Sequence, residues 1–215
     1  LEMSPENVRD RAYTLMSRGD FRMSDLSRAQ IDLQEISKWS QANFEGQEKK
    51  FIVTAADGMG GFTPNQLQTK IDQYSPDIVF VDYIQLMDDN KGSSGETDRV
   101  RSVSKELKAL ALSNSIALVA IAAASSNETK EYNSPPQIYE VAQSRQSAFD
   151  CDLVLSMISH KQGDGTTITE VCSRKNRHGP DFDFIIKMDV NNGKIEEKWD
   201  TKFIDGAETS TDELE

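Results

Sequence analysis

Apolar positions recur at helical spacing close to the start of the chain. Val8, Ala12, Leu15 and Met16 follow Ser4-Pro5, a polar cap with proline at the first helical position, so a helix of roughly three turns is predicted there. From Ser24 the same period returns in Leu26, Ala29, Leu33, Ile36 and Trp39 and predicts a second helix. The run "FIVTA", Phe51 to Ala55, is short, apolar and β-branched, and reads as a strand broken by the glycines of "DGMGG". Thr63 and Pro64, with Gln66 three residues after the cap, open another helix.

The pattern then changes. In "PDIVFVDYIQLMDD", Ile78 to Val81 are continuously apolar rather than alternating, as expected for a strand covered by helices on both faces. After the polar "DDNKGSSGET", Val100, Val103, Leu107 and Leu110 mark a helix, and "IALVAIA", Ile116 to Ala122, is the next buried strand. Strand, helix, strand at this spacing predicts a parallel βαβ unit, hence an α/β fold with a mostly parallel central sheet flanked by helices. The last third reads differently. "DLVLSMI", "TTITEVCSR", "FDFIIKMDV" and "KIEEKW" are strands separated by short turns, one of them Asn192-Gly193, and are expected as antiparallel hairpins at the C-terminal edge. One domain over residues 1–200 is expected, with an acidic, disordered tail over 201–215.

Charge narrows the function classes. The 215 residues hold 36 acidic and 24 basic side chains, a formal charge of -12, which argues against a broad nucleic-acid-coating surface and allows only a locally basic path. Cys151 and Cys172 lack metal-type spacing and read as core thiols of a reducing compartment. Neither a bilayer-length apolar run nor a signal peptide is seen, so a cytoplasmic location is expected, without membrane partners. The opening "LEMS" reads as the middle of a longer chain, so a fragment is expected.

The apolar run Ile78 to Val81 ends on an acid, Asp82. In open parallel sheets ligands sit beyond the carboxyl ends of the strands, where a carboxylate can hold the water shell of a magnesium ion on a nucleotide. A simple cap of the following turn is an equal reading of that residue.

Four motifs in order carry a resemblance: "LEMS" at the start, "VDYIQLM", "LKALA" in the following helix and "SRKNRHGP" near the end. Together they resemble the C-terminal ATPase domain of the DnaB-like hexameric replicative DNA helicases, a RecA-like fold, from Leu1 to about Trp199. The resemblance implies ATP and Mg2+ as cofactors, and single-stranded DNA as a partner. It also implies a hexameric ring of identical subunits, with primase or a helicase loader as further partners. Position by position, Asp82 matches the magnesium-holding aspartate. Glu2 matches the general base that polarises the attacking water; from the residues alone it is a surface acid beside a helix. Lys175 and Arg177 match the basic pair reaching into the neighbouring subunit's nucleotide site, Arg177 as the arginine finger; a capped basic turn before Gly179-Pro180 is the other reading.

Three departures qualify the resemblance. No GxxxxGK[ST] phosphate loop exists in this sequence: Gly193-Lys194 sits in a hairpin turn, and "DGMGG" has no lysine. Ala123 stands where the family has a γ-phosphate-sensing glutamine, with Ser125, Ser126 and Asn127 as substitutes only if the loop is shifted. In the segment that faces single-stranded DNA in the family, Ala142, Gln143, Ser144 and Arg145 stand where the family has Arg-Glu-Ser-Gly, so the basic residue is displaced to Arg145, the candidate phosphate contact or else a plain surface arginine. The expected function is the motor of a replicative ring helicase, present here without its phosphate loop and inactive by itself. The rivals are another RecA-like ring ATPase, of recombinase or clock type, and a non-catalytic ring member.

Overall fold

The computed structural model describes residues 3–46, 51–54, 61–93, 95–124, 134–140 and 145–198, with backbone only at 145–147 and 198. Helix α1 spans Pro5–Met16; the Ser4 side chain accepts from Asn7 N–H at 3.3 Å, the cap that the sequence predicted. The single helix expected from Ser24 is instead two, α2 (Met23–Ser27) and α3 (Leu33–Phe44). Ala29 between them takes a left-handed φ of 51°, and Asp32 caps α3 by accepting from Gln34 N–H at 2.9 Å. The carboxylate thus satisfies an amide that a continuous helix would have bonded internally. Tyr13, Phe21, Phe44 and Trp39 join these helices through ring contacts of 5.3 to 6.4 Å.

The strand expected at 51–55 is not formed over its described part: 51–54 carry no ladder, and Phe51 is 67% exposed. Helix α4 (Pro64–Tyr74) begins with the expected capping box, Thr63 N–H donating to Gln66 Oε1 at 2.8 Å while Gln66 N–H donates to Thr63 Oγ1 at 3.3 Å. Strand β1 (Ile78–Val81), helix α5 (Glu96–Asn114) and strand β2 (Ala117–Ala120) form the predicted βαβ unit. The strands pair parallel in the register Ile78 with Ala117 through Val81 with Ala120. The core lies between this pair and the two helices: Leu67 and Ile71 of α4, Val100, Val103 and Leu107 of α5, Val81 of β1, and Phe62, Ile84 and Met87 beside them.

Coverage on both faces of β1 is not what the described residues show. Val79 and Val81 turn to the helices, whereas Ile78, Phe80 and, on β2, Val119 remain exposed on the other face. Both α4 and α5 pack on the same side, and strand alternation puts every second residue on the opposite one.

Helix α6 (Arg145–Asp150) leads into β3 (Leu153–Lys161), β4 (Thr167–Asn176), β5 (Asp183–Asp189) and β6 (Lys194–Lys198). The four form an antiparallel sheet in the order β3-β4-β5-β6; these are the expected hairpins, paired among themselves. The β5–β6 turn seats the N-terminal helices. Met23 N–H donates to Asn191 O at 2.9 Å and Ser24 N–H to Asn191 Oδ1 at 3.0 Å. Gly193, at φ 62°, lies so close to Thr14 O that a Cβ there would stand 2.2 Å from it, so the Asn-Gly turn serves packing as well as chain reversal. Cys172 is half-buried and Cys151 exposed, so Cys151 is not the core thiol expected: it lies between α6 and β3, one residue short of the strand pattern. Among the described residues no helix is long and apolar enough to cross a membrane.

Candidate functional site

The carboxyl ends of β1 and β2 are tied side by side. Ile121 N–H donates to Val81 O and Ile84 N–H donates to Ile121 O, both at 2.9 Å. Beyond them the buried side chain of Gln85 pairs with the Ala123 backbone: its Nε2 donates to Ala123 O at 3.2 Å, and Ala123 N–H donates to its Oε1 at 3.3 Å. Asp82 and Ala123 therefore share one edge, as their positions in the sequence implied. Asp82 is exposed, and its carboxylate makes no hydrogen bond or ion pair with a described residue. Among the described residues no bond supports the alternative of a turn cap. An uncommitted carboxylate at this edge fits a magnesium ion held through water, and among the described residues no cluster of three or more His, Cys, Asp or Glu forms a complete protein cage. Ala123 has nothing to offer a phosphate: its side chain is a methyl, and its N–H is engaged by Gln85. Sequence reasoning misses Gln85; its one signal is an amide inside the apolar "YIQLM".

Behind the edge, Asp88 orders its neighbours. Gly61 N–H donates to its Oδ2 at 2.9 Å, and Arg99 Nη1 to its Oδ1 at 3.4 Å. A Cβ at Gly61 would collide with that carboxylate at 2.4 Å. The last glycine of "DGMGG" thus serves Asp88, in line with setting this segment aside as a phosphate cradle. Asp89 accepts from both the N–H and the hydroxyl of Ser93, and these bonds hold its carboxyl below the usual range.

The second site is the corner where β4 passes α6. Lys175 Nζ donates to Phe149 O at 2.8 Å and Ala148 O at 3.3 Å, carbonyls at the end of α6. Arg177 donates Nη2–H to Phe149 O and Nη1–H to Asp152 Oδ1, each at 3.0 Å, and its backbone N–H to Asp152 O at 3.0 Å. The other Asp152 oxygen accepts from Lys108 of α5 at 2.5 Å. The Lys108 hydrogen bond first, then the Arg177 contacts, hold the Asp152 carboxyl below its ordinary value. Arg174, in the same basic run, points elsewhere: its Nε donates to Pro136 O and Ser156 Oγ, both at 3.0 Å. Asn176 closes the turn, donating to Pro180 O at 2.8 Å and accepting from His178 N–H at 3.2 Å, so "KNRHGP" is also the capped turn of the alternative reading. The pairing of Asp152 with Arg177 and Lys108 is not legible in the sequence, because these partners lie 25 and 44 residues from Asp152. Glu2, Gln143, Ser144 and the substitutes Ser125, Ser126 and Asn127 lie outside the described residues, and Arg145 is described in its backbone alone, as the first residue of α6.

A parallel strand pair with helices packed on one face, an acid at its carboxyl edge and a basic corner on an antiparallel sheet make an α/β domain whose fold is of the RecA-like kind. The chain belongs to the DnaB-like helicase C-terminal domain family, which it matches over residues 1–197. Among curated proteins it is 23% identical over 196 residues to a probable plasmid replicative DNA helicase of Chlamydia trachomatis serovar L2, covering 91% of this chain and 42% of that protein. The corresponding protein of Chlamydia psittaci is 24% identical over 205 residues, covering 91% and 43%. The chain thus spans less than half the length of these relatives. Among solved structures, a DnaB-like replicative helicase, solved for its interactions with primase, superposes with a TM-score of 0.72 at 19% identity, covering 90% of this chain and 49% of that one. A solved ATPase domain gives a TM-score of 0.73 at 20% identity, covering 90% and 71%.

Proposed function

We propose that this chain is the core of a motor that moves along single-stranded DNA at the expense of ATP, as part of a homohexameric replicative ring helicase. The observation that carries the reading is the exposed Asp82 carboxylate, bonded to no described residue, at the shared carboxyl edge of β1 and β2, in a chain of the DnaB-like family. Asp82 would hold Mg2+ through the ion's water ligands, and the ion would there supply charge neutralisation to a nucleotide's phosphates. Arg177, with Lys175 beside it, enters the neighbouring subunit's site and meets the charge that develops on the transferred phosphoryl group. Glu2 polarises the attacking water, while Gln143, Ser144 and Arg145 face the DNA backbone. Primase or a helicase loader docks on the assembled ring. The phosphate loop is supplied by a segment outside these 215 residues, because no stretch of this sequence has the required glycines and lysine.

The test is ATP turnover. Residues 1–215 alone should hydrolyse Mg-ATP at the rate of buffer, and the same residues joined to a phosphate-loop segment should gain DNA-stimulated turnover. Magnesium-dependent hydrolysis by residues 1–215 alone would overturn the assignment. One observation favours a second reading, a non-catalytic ring subunit: Ala123 has neither a side-chain donor nor a spare N–H for a γ-phosphate. That reading predicts no turnover even with the loop attached.

A further inference from the structure

Arg177 is held by its own subunit in an unusually complete way for an exposed arginine. Its backbone N–H and one Nη1–H go to Asp152, and one Nη2–H goes to Phe149 O, all at 3.0 Å. Its side chain is still 47% exposed. A guanidinium carries five N–H donors, so three remain without a partner among the described residues. Asp152 is fixed in turn, since its second oxygen binds Lys108 of α5, the helix whose other residues pack beneath β1 and β2.

We propose that Asp152 is the positioning residue of Arg177. It clamps one side of the guanidinium so that the other side is presented, already oriented, to an anion supplied by an adjacent subunit, and Lys108 ties that orientation to α5. This rests on the reading of Arg177 as a residue acting in trans. The physical argument is preorganisation: an exposed arginine otherwise samples many rotamers, and ordering it at each encounter costs side-chain entropy that a clamped arginine has already lost. A single carboxylate joining two cations with both oxygens used is a network, the arrangement in which surface charges become directional. Replacing it by an amide removes the charge from both pairs and breaks one of them outright, because the amide NH2 must face either Lys108 or Arg177 as donor against donor.

The test has two arms. In residues 1–215 with 15N-labelled arginine, the Arg177 side-chain N–H signals should be resolved and exchange slowly, should move toward the free-arginine position and exchange faster in Asp152→Asn, should be better retained in Asp152→Glu, and should be unchanged in Asp82→Asn. In the ring-forming protein that includes a phosphate loop, Asp152→Asn should lower kcat about 10- to 100-fold with KM unchanged, the cost of a finger displaced by roughly 1 Å. Combined with Arg177→Ala it should add nothing to that variant's loss. If Asp152→Asn does not fold, Lys108→Met replaces it and should give the same non-additivity at a smaller loss. Arg177 signals unaffected by Asp152→Asn, or losses that multiply in the double variant, overturn the positioning role. Full turnover in Arg177→Ala, with the Arg177 signals still ordered in the parent chain, instead overturns the role in trans and leaves the clamp a purely structural contact.

Discussion

The two candidate sites are built in opposite ways. At the carboxyl edge of the parallel pair the backbone is fastened tightly, by Ile84, Ile121 and the Gln85–Ala123 pairing, while the Asp82 carboxylate bonds no described residue. At the β4–α6 corner the charged groups are themselves the fastening: Lys175, Arg177, Asp152 and Lys108 each bond a partner. The difference teaches which site waits for a ligand of its own. A carboxylate with no partner among the described residues is suited to a cation brought to it, whereas a guanidinium clamped through two of its five N–H groups is prepared to meet an anion without rearranging.

The largest test of that contrast is made on mixed rings that include the phosphate loop. Arg177→Ala and Asp82→Asn subunits are each expected to lose about 10³-fold or more in turnover alone, and to recover part of it when mixed, because some interfaces then pair an intact finger with an intact magnesium site. Mixed rings that assemble yet stay as inactive as either parent would show that the two sites do not meet across an interface.

Stability separates the regions next. Met87 is fully buried beneath the parallel pair, so Met87→Ala should cost about 2–5 kcal/mol in a denaturant titration. Phe80→Ser, on the exposed face of the same sheet, should change the stability of residues 1–215 by less than about 1 kcal/mol. Equal losses would mean that the outer face is covered too. The Thr63→Ala variant removes one half of the α4 capping box and should cost about 1 kcal/mol, read in the same titration.

The smallest expected effect is on pH dependence, and it belongs mainly to the antiparallel half. Asp164 is lowered to about 2 by bonds from the Thr166 hydroxyl and N–H and from Lys187, and Asp152 and Asp189 are lowered as well. A carboxyl depressed on folding contributes stability above its unfolded value near 4, and that contribution is lost as pH falls through the folded value. The thermal unfolding midpoint should therefore fall as the pH drops from about 4 to about 2, and the Asp164→Asn variant should show a shallower loss than wild type. An unchanged slope would mean that the Asp164 turn is not formed in solution.

Local chemistry in this chain is readable one residue at a time. Ser4-Pro5 and Thr63-Pro64-Gln66 start helices because the groups that satisfy the first free amides lie within three residues. The run Ile78–Val81, the helix with Val103 and Leu107, and Ile116–Ala122 announce a parallel unit because their apolar periods differ and their spacing leaves room for a crossover. That geometry already placed Asp82 and Ala123 on one edge. The split between α2 and α3 was less visible, since the apolar period runs through it and only the Asp32 cap and the left-handed Ala29 interrupt the helix.

What the sequence by itself determined is thus the set of elements with nearby causes: caps, turns, periods, and the acid that ends a strand. Tertiary structure alone decided which face of β1 is covered, that Gln85 occupies the N–H of Ala123, and that Asp152 and Lys108 hold Arg177. Those contacts join residues 25 to 44 positions apart. No period or local pattern encodes a partner at that distance; it exists only once the sheets and helices have packed and brought the charges within bonding range.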